Sequence, residues 1–380
     1  MSRFAKREPN PAPFTMAADE DDQERGYSAF RNTRLARSND PAQLLLIGPS
    51  WVGDMVMAQV LLQVLRRRWP RLQIDLLAPA PAATLGERMP EVRRVYVTTI
   101  QHGRLALRER RAWAQRLRSV DYDWSICLPN SLKAALIPYW ARIPVRTGFR
   151  GEGRLLLLND RRTLDRRKLV RTVDRYVALG IPRRLPQPSR LPAPRLRVDV
   201  AAREHALERL GLVAPDGPVL ALAPGAEYGP AKRWPLRHWI ALAQEALHRG
   251  YAVWALGGPK DASLTAEISA AVPAVVDLGG KTSLVEATDL LSLATTTVSN
   301  DSGLMHIAGA VGSHVIALYG SSPLAMTPPL GPEAVALRLD LPCSPCGKRR
   351  CPLKHHRCME DLGVERVLPY LGATERHVLP

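Results

Sequence analysis

TTTVSNDSGLMHIAGAVGSHVIALYG, residues 295–320, decides the architecture. Residues 295–300 are a short β-branched run, residues 302–311 carry apolar side chains at helical spacing, and SHVIALYG (313–320) is again a short apolar run. Strand, helix and strand in direct succession make a βαβ unit, which joins parallel neighbours in one sheet. Working upstream, the same alternation appears in PVLALAPG (218–225), a helix at 235–249, YAVWALGG (251–258), a helix at 261–271, AVVDLGG (274–280) and a helix at 282–293. Further upstream it recurs in QLLLIG (43–48), MVMAQVLLQVLRRRW (55–69), QIDLLAP (73–79), a helix-like stretch, RVYVTT (94–99), an Arg-rich helix at 104–118 and WSICLP (124–129). Between the two series lies IPRRLPQPSRLPAPRLRV, whose Pro182, Pro186, Pro188, Pro192 and Pro194 forbid a helix or a central strand and predict an extended connector.

The expected fold is therefore α/β, with two doubly wound, Rossmann-like parallel-sheet domains facing a central cleft. The predicted divisions are a mobile extension at 1–40, a first domain with its connector at 41–198, a second domain at 199–345, and a Cys-rich tail with a C-terminal helix at 346–380. A length of 380 residues and 46% hydrophobic composition are enough for two cores. A formal charge of +17 attracts polyanions, whether nucleic acid, phospholipid surface or phosphorylated substrate. No apolar run approaches the roughly 20 residues of a membrane span, and the first residues lack the apolar core of a signal peptide. A cytoplasmic location with reduced cysteines is the expectation.

Ligands of open α/β sheets bind beyond the carboxyl ends of the strands, so the loops there carry the chemistry. In GPSWVGDM (48–55), Gly48 and Gly53 have the offset of a phosphate loop, but Asp54 stands where that loop needs Lys. Asp54 is then either a helix cap or a general base taking a proton from an acceptor hydroxyl, and Trp51 offers an apolar face to a sugar. GAEYGPAKRWP (225–235) is a loop fixed by glycines and prolines that holds Lys232 and Arg233 ahead of a helix, and a cation there suits a diphosphate leaving group. In NDSGLMH (300–306), Asp301 or Ser302 caps a helix whose free N–H groups suit phosphate, Gly303 allows close approach, and His306 follows one turn later. GGPKD (257–261) and LGGKTSL (278–284) complete a pocket for a base and ribose.

Taken in order and spacing, GPSWVGDM, LPNSLKAAL, RTGFRGEGR, PGAEYGPAKRWP and NDSGLMH resemble the heptosyltransferase II branch of glycosyltransferase family nine. The resemblance covers most of residues 43–340 and implies a GT-B fold. It also implies an inverting, metal-free transfer of L-glycero-D-manno-heptose from ADP-heptose to the first heptose of the Kdo2-lipid A inner core, in lipopolysaccharide core biosynthesis. Under that reading Asp54 is the general base and Lys232 offsets the diphosphate charge. Glu227, Tyr228, Gly257, Asp301, Ser302, Gly303 and His306 complete the donor site, and no cofactor is required. The candidate acceptor site consists of Trp51, Gly53, Asn130, Ser131, Lys133 and Arg150, with Arg142, Arg146 and Arg154 as further cations on the same surface.

Cys343, Cys346, Cys351 and Cys358 have spacings that admit a structural zinc ion, while reduced free thiols are the alternative. The string Asp121-Tyr122-Asp123 precedes a strand and is read as turn chemistry, not as a metal site. Arg66, Arg67, Arg68 and Arg71, with the helix at 104–118, point to peripheral attachment to the anionic inner face of the inner membrane. Two rivals remain: a heptosyltransferase I acting on Kdo, and a non-catalytic basic nucleic-acid-binding protein. The second is disfavoured, since aromatics are only 6% and the basic residues lie on helices of a βαβ array, so no nucleic-acid partner is expected.

Overall fold

The computed structural model describes residues 41–100, 103–182, 185–331 and 334–372, so the expected mobile extension at 1–40 lies outside the described residues. The first sheet contains β1 (Gln43–Ile47), β2 (Gln73–Pro79), β3 (Val92–Thr98), β4 (Trp124–Cys127), β5 (Val145–Phe149) and β6 (Asp160–Arg162). Its helices are α1 (Val52–Arg68), α2 (Ala80–Gly86), α3 (Leu107–Leu117), α4 (Leu132–Trp140) and α5 (Thr172–Gly180). After the connector come α6 (Val200–Arg209), β7 (Val219–Ala223), α7 (Leu236–His248), β8 (Ala252–Ala255), α8 (Ala262–Ala271), β9 (Val276–Asp277), α9 (Leu284–Leu291), β10 (Thr296–Asn300), α10 (Gly303–Ala310), β11 (His314–Tyr319), β12 (Val335–Arg338) and α11 (Arg357–Glu360).

The strand orders are β3-β2-β1-β4-β5-β6 and β12-β11-β10-β7-β8-β9, with parallel pairing throughout. Strand order reverses between β1 and β4 in the first sheet and between β7 and β10 in the second. At such a point the flanking loops run to opposite faces and leave a crevice. The loops that follow β1, β7 and β10 are the ones singled out from the sequence.

The central strands are apolar because helices cover both faces of a parallel sheet. Every residue of β7, β10 and β11 is buried, whereas the edge strand β3 has Arg93 and Arg94 exposed. The sequence did not disclose β5 and β6. The run of β5 is broken by Arg146 and Gly148, and β6 is the three-residue edge Asp160–Arg162. Of the tail expected to hold a C-terminal helix, the described residues form the four-residue α11 and two 3-10 turns, with Gly363 between α11 and the first turn and Pro369 inside the second. Its Cys358, Met359, Leu362, Val367 and Leu371 close a core built around Trp234 and Trp239.

The connector is extended, as its prolines require, and the side chains of α1 hold it in place. Gln63 Nε2 donates to Ala193 O at 3.1 Å, and Arg195 N donates to Gln59 Oε1 at 2.8 Å. Leu196 N then reaches Ala310 O at 2.9 Å, at the end of α10. Beside this strap Arg88 Nη2 donates to Asp289 Oδ2 at 2.6 Å, and Asp289 Oδ1 accepts from Asp199 N at 2.9 Å. The Asp289 carboxylate is 1% exposed, so this bridge between the two halves is desolvated.

Asp289→Ala leaves the Arg88 guanidinium and the Asp199 N–H without their partner. The expected loss is about 3 kcal/mol of unfolding free energy, the usual scale for breaking a buried pair from one side. Denaturant unfolding checks this, and a loss well below that value would mean that water replaces the carboxylate.

Candidate active site

Three loops build one cavity of about 710 Å³ between the sheets. The loop after β1 and the start of α1 supply Ser50 to Asp54, the loop after β7 supplies Glu227, Tyr228 and Lys232, and the start of α10 supplies Asp301, Ser302, Gly303 and His306. Gly257 to Pro259 and Thr282 to Leu284, from the loops read as a base and ribose pocket, line the same cavity. Trp51 stands 46% exposed at this cavity, presenting its ring to whatever enters.

The helix starts approach closely because two glycines meet there. A Cβ on Gly53 would lie 2.9 Å from His306 Cδ2, and one on Gly303 would lie 2.9 Å from Val52 Cγ1. Ser302 is the cap of α10, its Oγ accepting from Met305 N at 3.4 Å. Asp301 is thereby free to bond elsewhere. Its Oδ2 accepts from Lys232 Nζ at 2.5 Å, and its Oδ1 accepts from Thr327 Oγ1 at 3.5 Å. Asp54 does not cap α1 either. The cap position is Trp51, without a side-chain bond, and Asp54 sits within the first turn facing the cavity.

Burial sets the charges. It pushes the Asp54 carboxyl up to about 6, with Asp301 adding to the rise and Lys232 opposing it. It pulls the His306 imidazole down to about 4, against the attraction of Asp301, with Lys232 reinforcing the fall. At neutral pH Asp54 is therefore an ionised carboxylate with the proton affinity of a general base, and His306 is neutral. His306 Nδ1 is buried without a hydrogen-bond partner among the described residues.

The loop that bears Lys232 is fixed from below. Asn300 Oδ1 accepts from Trp234 N at 3.1 Å, and Asn300 Nδ2 donates to Pro224 O at 2.6 Å. Lys232 Nζ and Arg349 Cζ each stand 5.1 Å from the Tyr228 ring centroid. Asp261 Oδ2 accepts from Gly258 N at 3.2 Å and packs where a Cβ on Gly225 or Gly257 would fall, so both glycines are sterically required. Lys260 pairs with Glu227 at 2.5 Å, and Arg233 with Asp261 at 3.7 Å.

The candidate acceptor residues divide. Trp51 and Gly53 line the cavity, whereas Asn130, Ser131, Lys133 and Arg150 lie outside its lining. Asn130 Oδ1 accepts from Arg154 Nη2 at 2.5 Å. Two expected surface cations prove to be structural. Arg154 is fully buried and donates to the carbonyls of Phe149 and Pro129, and Arg146 donates to the carbonyls of Ile143 and Leu157. An Arg that satisfies buried carbonyls cannot be told by sequence from one that faces water. The Asp121-Tyr122-Asp123 string is turn chemistry, as expected: Asp123 Oδ2 accepts from Ala42 N and Gln43 N, both at 2.9 Å. Thr327, which the sequence reading missed, follows β11 and was accessible to the same strand-end rule.

Behind the site, Cys343, Cys346, Cys351 and Cys358 line a small cavity of about 20 Å³ with His355 and His356. All are free thiols, and burial pushes Cys358 up to about 11, its three fellow thiols adding to the rise. Among the described residues, no three His, Cys, Asp or Glu side chains are gathered closely enough to hold a metal ion as they stand.

Two parallel-sheet domains with a carboxylate on one side of a cleft and a lysine and helix start on the other define a glycosyltransferase of the GT-B type. More particularly, the chain belongs to glycosyltransferase family 9, the heptosyltransferases, whose profile matches residues 110–357. It is 41% identical over 343 residues to lipopolysaccharide heptosyltransferase 2 of Escherichia coli, covering 87% of this chain and 98% of the relative. It is 43% identical over 307 residues to lipooligosaccharide heptosyltransferase 2 of Haemophilus influenzae, covering 78% and 88%. The solved structure of the ADP-heptose heptosyltransferase II of E. coli superposes with a TM-score of 0.76 at 38% identity, covering 87% of this chain and 98% of that one.

Gly303→Ala overpacks the junction of α1 and α10, at an expected cost of about 1–3 kcal/mol. A lowered denaturation midpoint with unchanged circular dichroism is the expected result, and no change would show that Val52 yields freely.

Proposed function

We propose that this chain transfers heptose from ADP-heptose to the first heptose of the Kdo2-lipid A inner core, with inversion at the anomeric carbon. The observation that carries this reading is Asp54, an ionised carboxylate of raised proton affinity, in the same cavity as the Lys232–Asp301 pair and the start of α10. Its relatives at 41% and 43% identity are both second heptosyltransferases, which supports heptose over Kdo as the acceptor sugar.

In the proposed step Asp54 accepts the proton of the acceptor hydroxyl as its oxygen bonds to C1 of the donor heptose. The bond from C1 to the ADP oxygen breaks, and its electron pair leaves with ADP. Lys232 has three N–H donors and uses one on Asp301, so two remain for the diphosphate. The first amides of α10 add partial positive charge without any proton transfer. Neutral His306 lines the same cavity.

The residues that serve the acceptor in this proposal are Trp51 and Gly53 at the cavity and Asn130, Ser131, Lys133 and Arg150 on the adjoining first-domain loops. The two domains meet near residue 198, at the end of the connector. No cofactor enters the transfer. Cys343, Cys346, Cys351 and Cys358 are proposed ligands of a structural zinc ion that takes no part in it. The working location is the cytoplasmic face of the inner membrane. No helix among the described residues is long and apolar enough to cross a membrane, which fits peripheral attachment. Arg66 to Arg71 lie at the far end of α1, about 25 Å of helix from the cavity. The start of α3, with Leu105, Leu107 and the exposed Arg104, Arg108 and Arg111, is the better membrane-facing surface.

Asp54→Asn is expected to lower kcat by roughly 10²–10⁴ while ADP still binds, the range for losing a general base. Because the base works ionised and its pKa in the free protein is about 6, the wild-type kcat/KM should fall as pH drops through 6, and the Asn variant should lack that limb. ADP release is followed with heptosyl-Kdo2-lipid A and, separately, Kdo2-lipid A. Turnover only on the latter would move the acceptor to Kdo, and a full rate in Asp54→Asn would remove Asp54 from catalysis.

A further inference from the structure

Residues 343–358 make no contribution to the proposed transfer, yet they are laced into the loop that carries Lys232. Ala231 N donates to Arg349 O at 3.1 Å, and Ala231 O is paired with His356 Nε2 at 3.0 Å. Tyr228 OH donates to Gly347 O at 3.0 Å, and a Cβ on Gly229 would lie 2.5 Å from Arg349 O. Every residue from Tyr228 to Ala231 except Pro230 is thus held by this segment, immediately before Lys232. On its other side the segment is tied to the second sheet. Ser344 Oγ donates to Gly320 O and Gly347 N to Ser321 O, both at 2.7 Å, and Cys358 and Met359 enter the core.

The part that touches the donor loop has little packing of its own. From Pro345 to His356 the one large apolar side chain is Leu353, and it is 58% exposed. Lys354 and His356 take left-handed φ values of 60° and 50°, which non-glycine residues adopt at a cost. An exposed loop with so few buried contacts opens easily, and a cross-link would hold it closed. The residues that could form one are in place: four thiols surround a space of about 20 Å³, room for one water-sized body and no more. Thiolates favour soft divalent ions such as zinc, which four of them bind tetrahedrally at about 2.3 Å.

Resting on the structural-zinc reading above, we propose that residues 343–358 are a metal-closed clasp. One zinc-class cation bound by Cys343, Cys346, Cys351 and Cys358 fixes the backbone that holds the donor loop, so metal occupancy sets the affinity for the nucleoside diphosphate. The thiols do not yet converge as an ion would hold them, so the ion draws them together as it binds. Their protons pass to solvent, and closure of the clasp is coupled to binding.

The test uses the full chain purified without chelator. Metal content is measured by mass spectrometry, ADP binding by calorimetry, and backbone order by amide hydrogen exchange before and after zinc is stripped with a chelator. The expected result is one zinc per chain. On stripping, ADP should bind about ten-fold more weakly, and exchange should accelerate at Ala231 and Gly347 while the amides of β7 stay protected. Re-addition of zinc should reverse both changes. Cys346→Ser with Cys351→Ser should reproduce the stripped state; if that variant does not fold, the stripped wild type decides alone. No zinc bound or taken up overturns both the zinc reading and the clasp, and leaves the transferase reading standing. Zinc bound with unchanged exchange at Ala231 overturns the clasp alone, and this readout holds even if ADP fails to bind. Loss of protection in β7 on stripping would also overturn it, because the ion would then support the whole domain.

Discussion

The site exists because two helices that belong to different sheets touch at their first turns. Gly53 of α1 and Gly303 of α10 leave no room between backbone and neighbour, and any side chain at either would push the helices apart. Each helix begins at the point where its own sheet reverses strand order, so the contact joins the two crevices into one cavity. Everything chemical follows from that proximity. Asp54 comes from the first domain and Lys232, Asp301 and His306 from the second, and the charges of Asp301 and Lys232 act on Asp54 and His306 alike.

The charge balance explains why a group with an ordinary carboxylate's chemistry suits the proposed role of base. Exclusion of water raises the cost of a negative charge at Asp54, and Asp301 raises it further. Lys232 answers both carboxylates but is bonded to one, so Asp54 keeps an appetite for a proton. With His306 neutral, Asp54, Asp301 and Lys232 together carry one net negative charge. In the proposed reading an anionic donor therefore relies on amides of α10 and the spare N–H groups of Lys232, not on a pool of free positive charge. Once the diphosphate is seated it adds to the field at Asp54 in the same direction as Asp301, so donor binding itself strengthens the base.

The βαβ order was legible because its signals are local: apolar runs with glycine at their ends, helical spacing between them, and prolines in the connector. The cavity residues were legible for a related reason, since parallel sheets put their ligand loops after strands, and GPSWVGDM, GAEYGPAKRWP and NDSGLMH follow β1, β7 and β10. What stayed hidden depends on contacts distant in sequence. Asp301 looked like a cap until Lys232, 69 residues away, was found on its carboxylate. Arg154 looked like a surface cation until the carbonyls of Phe149 and Pro129 closed over it. The edge strand β6 has no apolar run to announce it, because its Asp160 bonds across to Thr147 and not into a core.

The same contact limits how the two halves can move. They are joined by the junction of α1 and α10, by the connector strapped to Gln59 and Gln63, by the buried Arg88–Asp289 bridge, and by Thr172 N donating to Met326 O at 2.8 Å. A rigid separation of the domains would break all of these together, at a cost a bound sugar nucleotide does not repay. At the glycine junction the nearest groups are the His306 and Val52 side chains, with the two glycine backbones close behind them. Catalytic geometry and interdomain packing are thus governed by the same few atoms, which is why so close a contact between the halves sits beside the proposed base and not at a distant hinge.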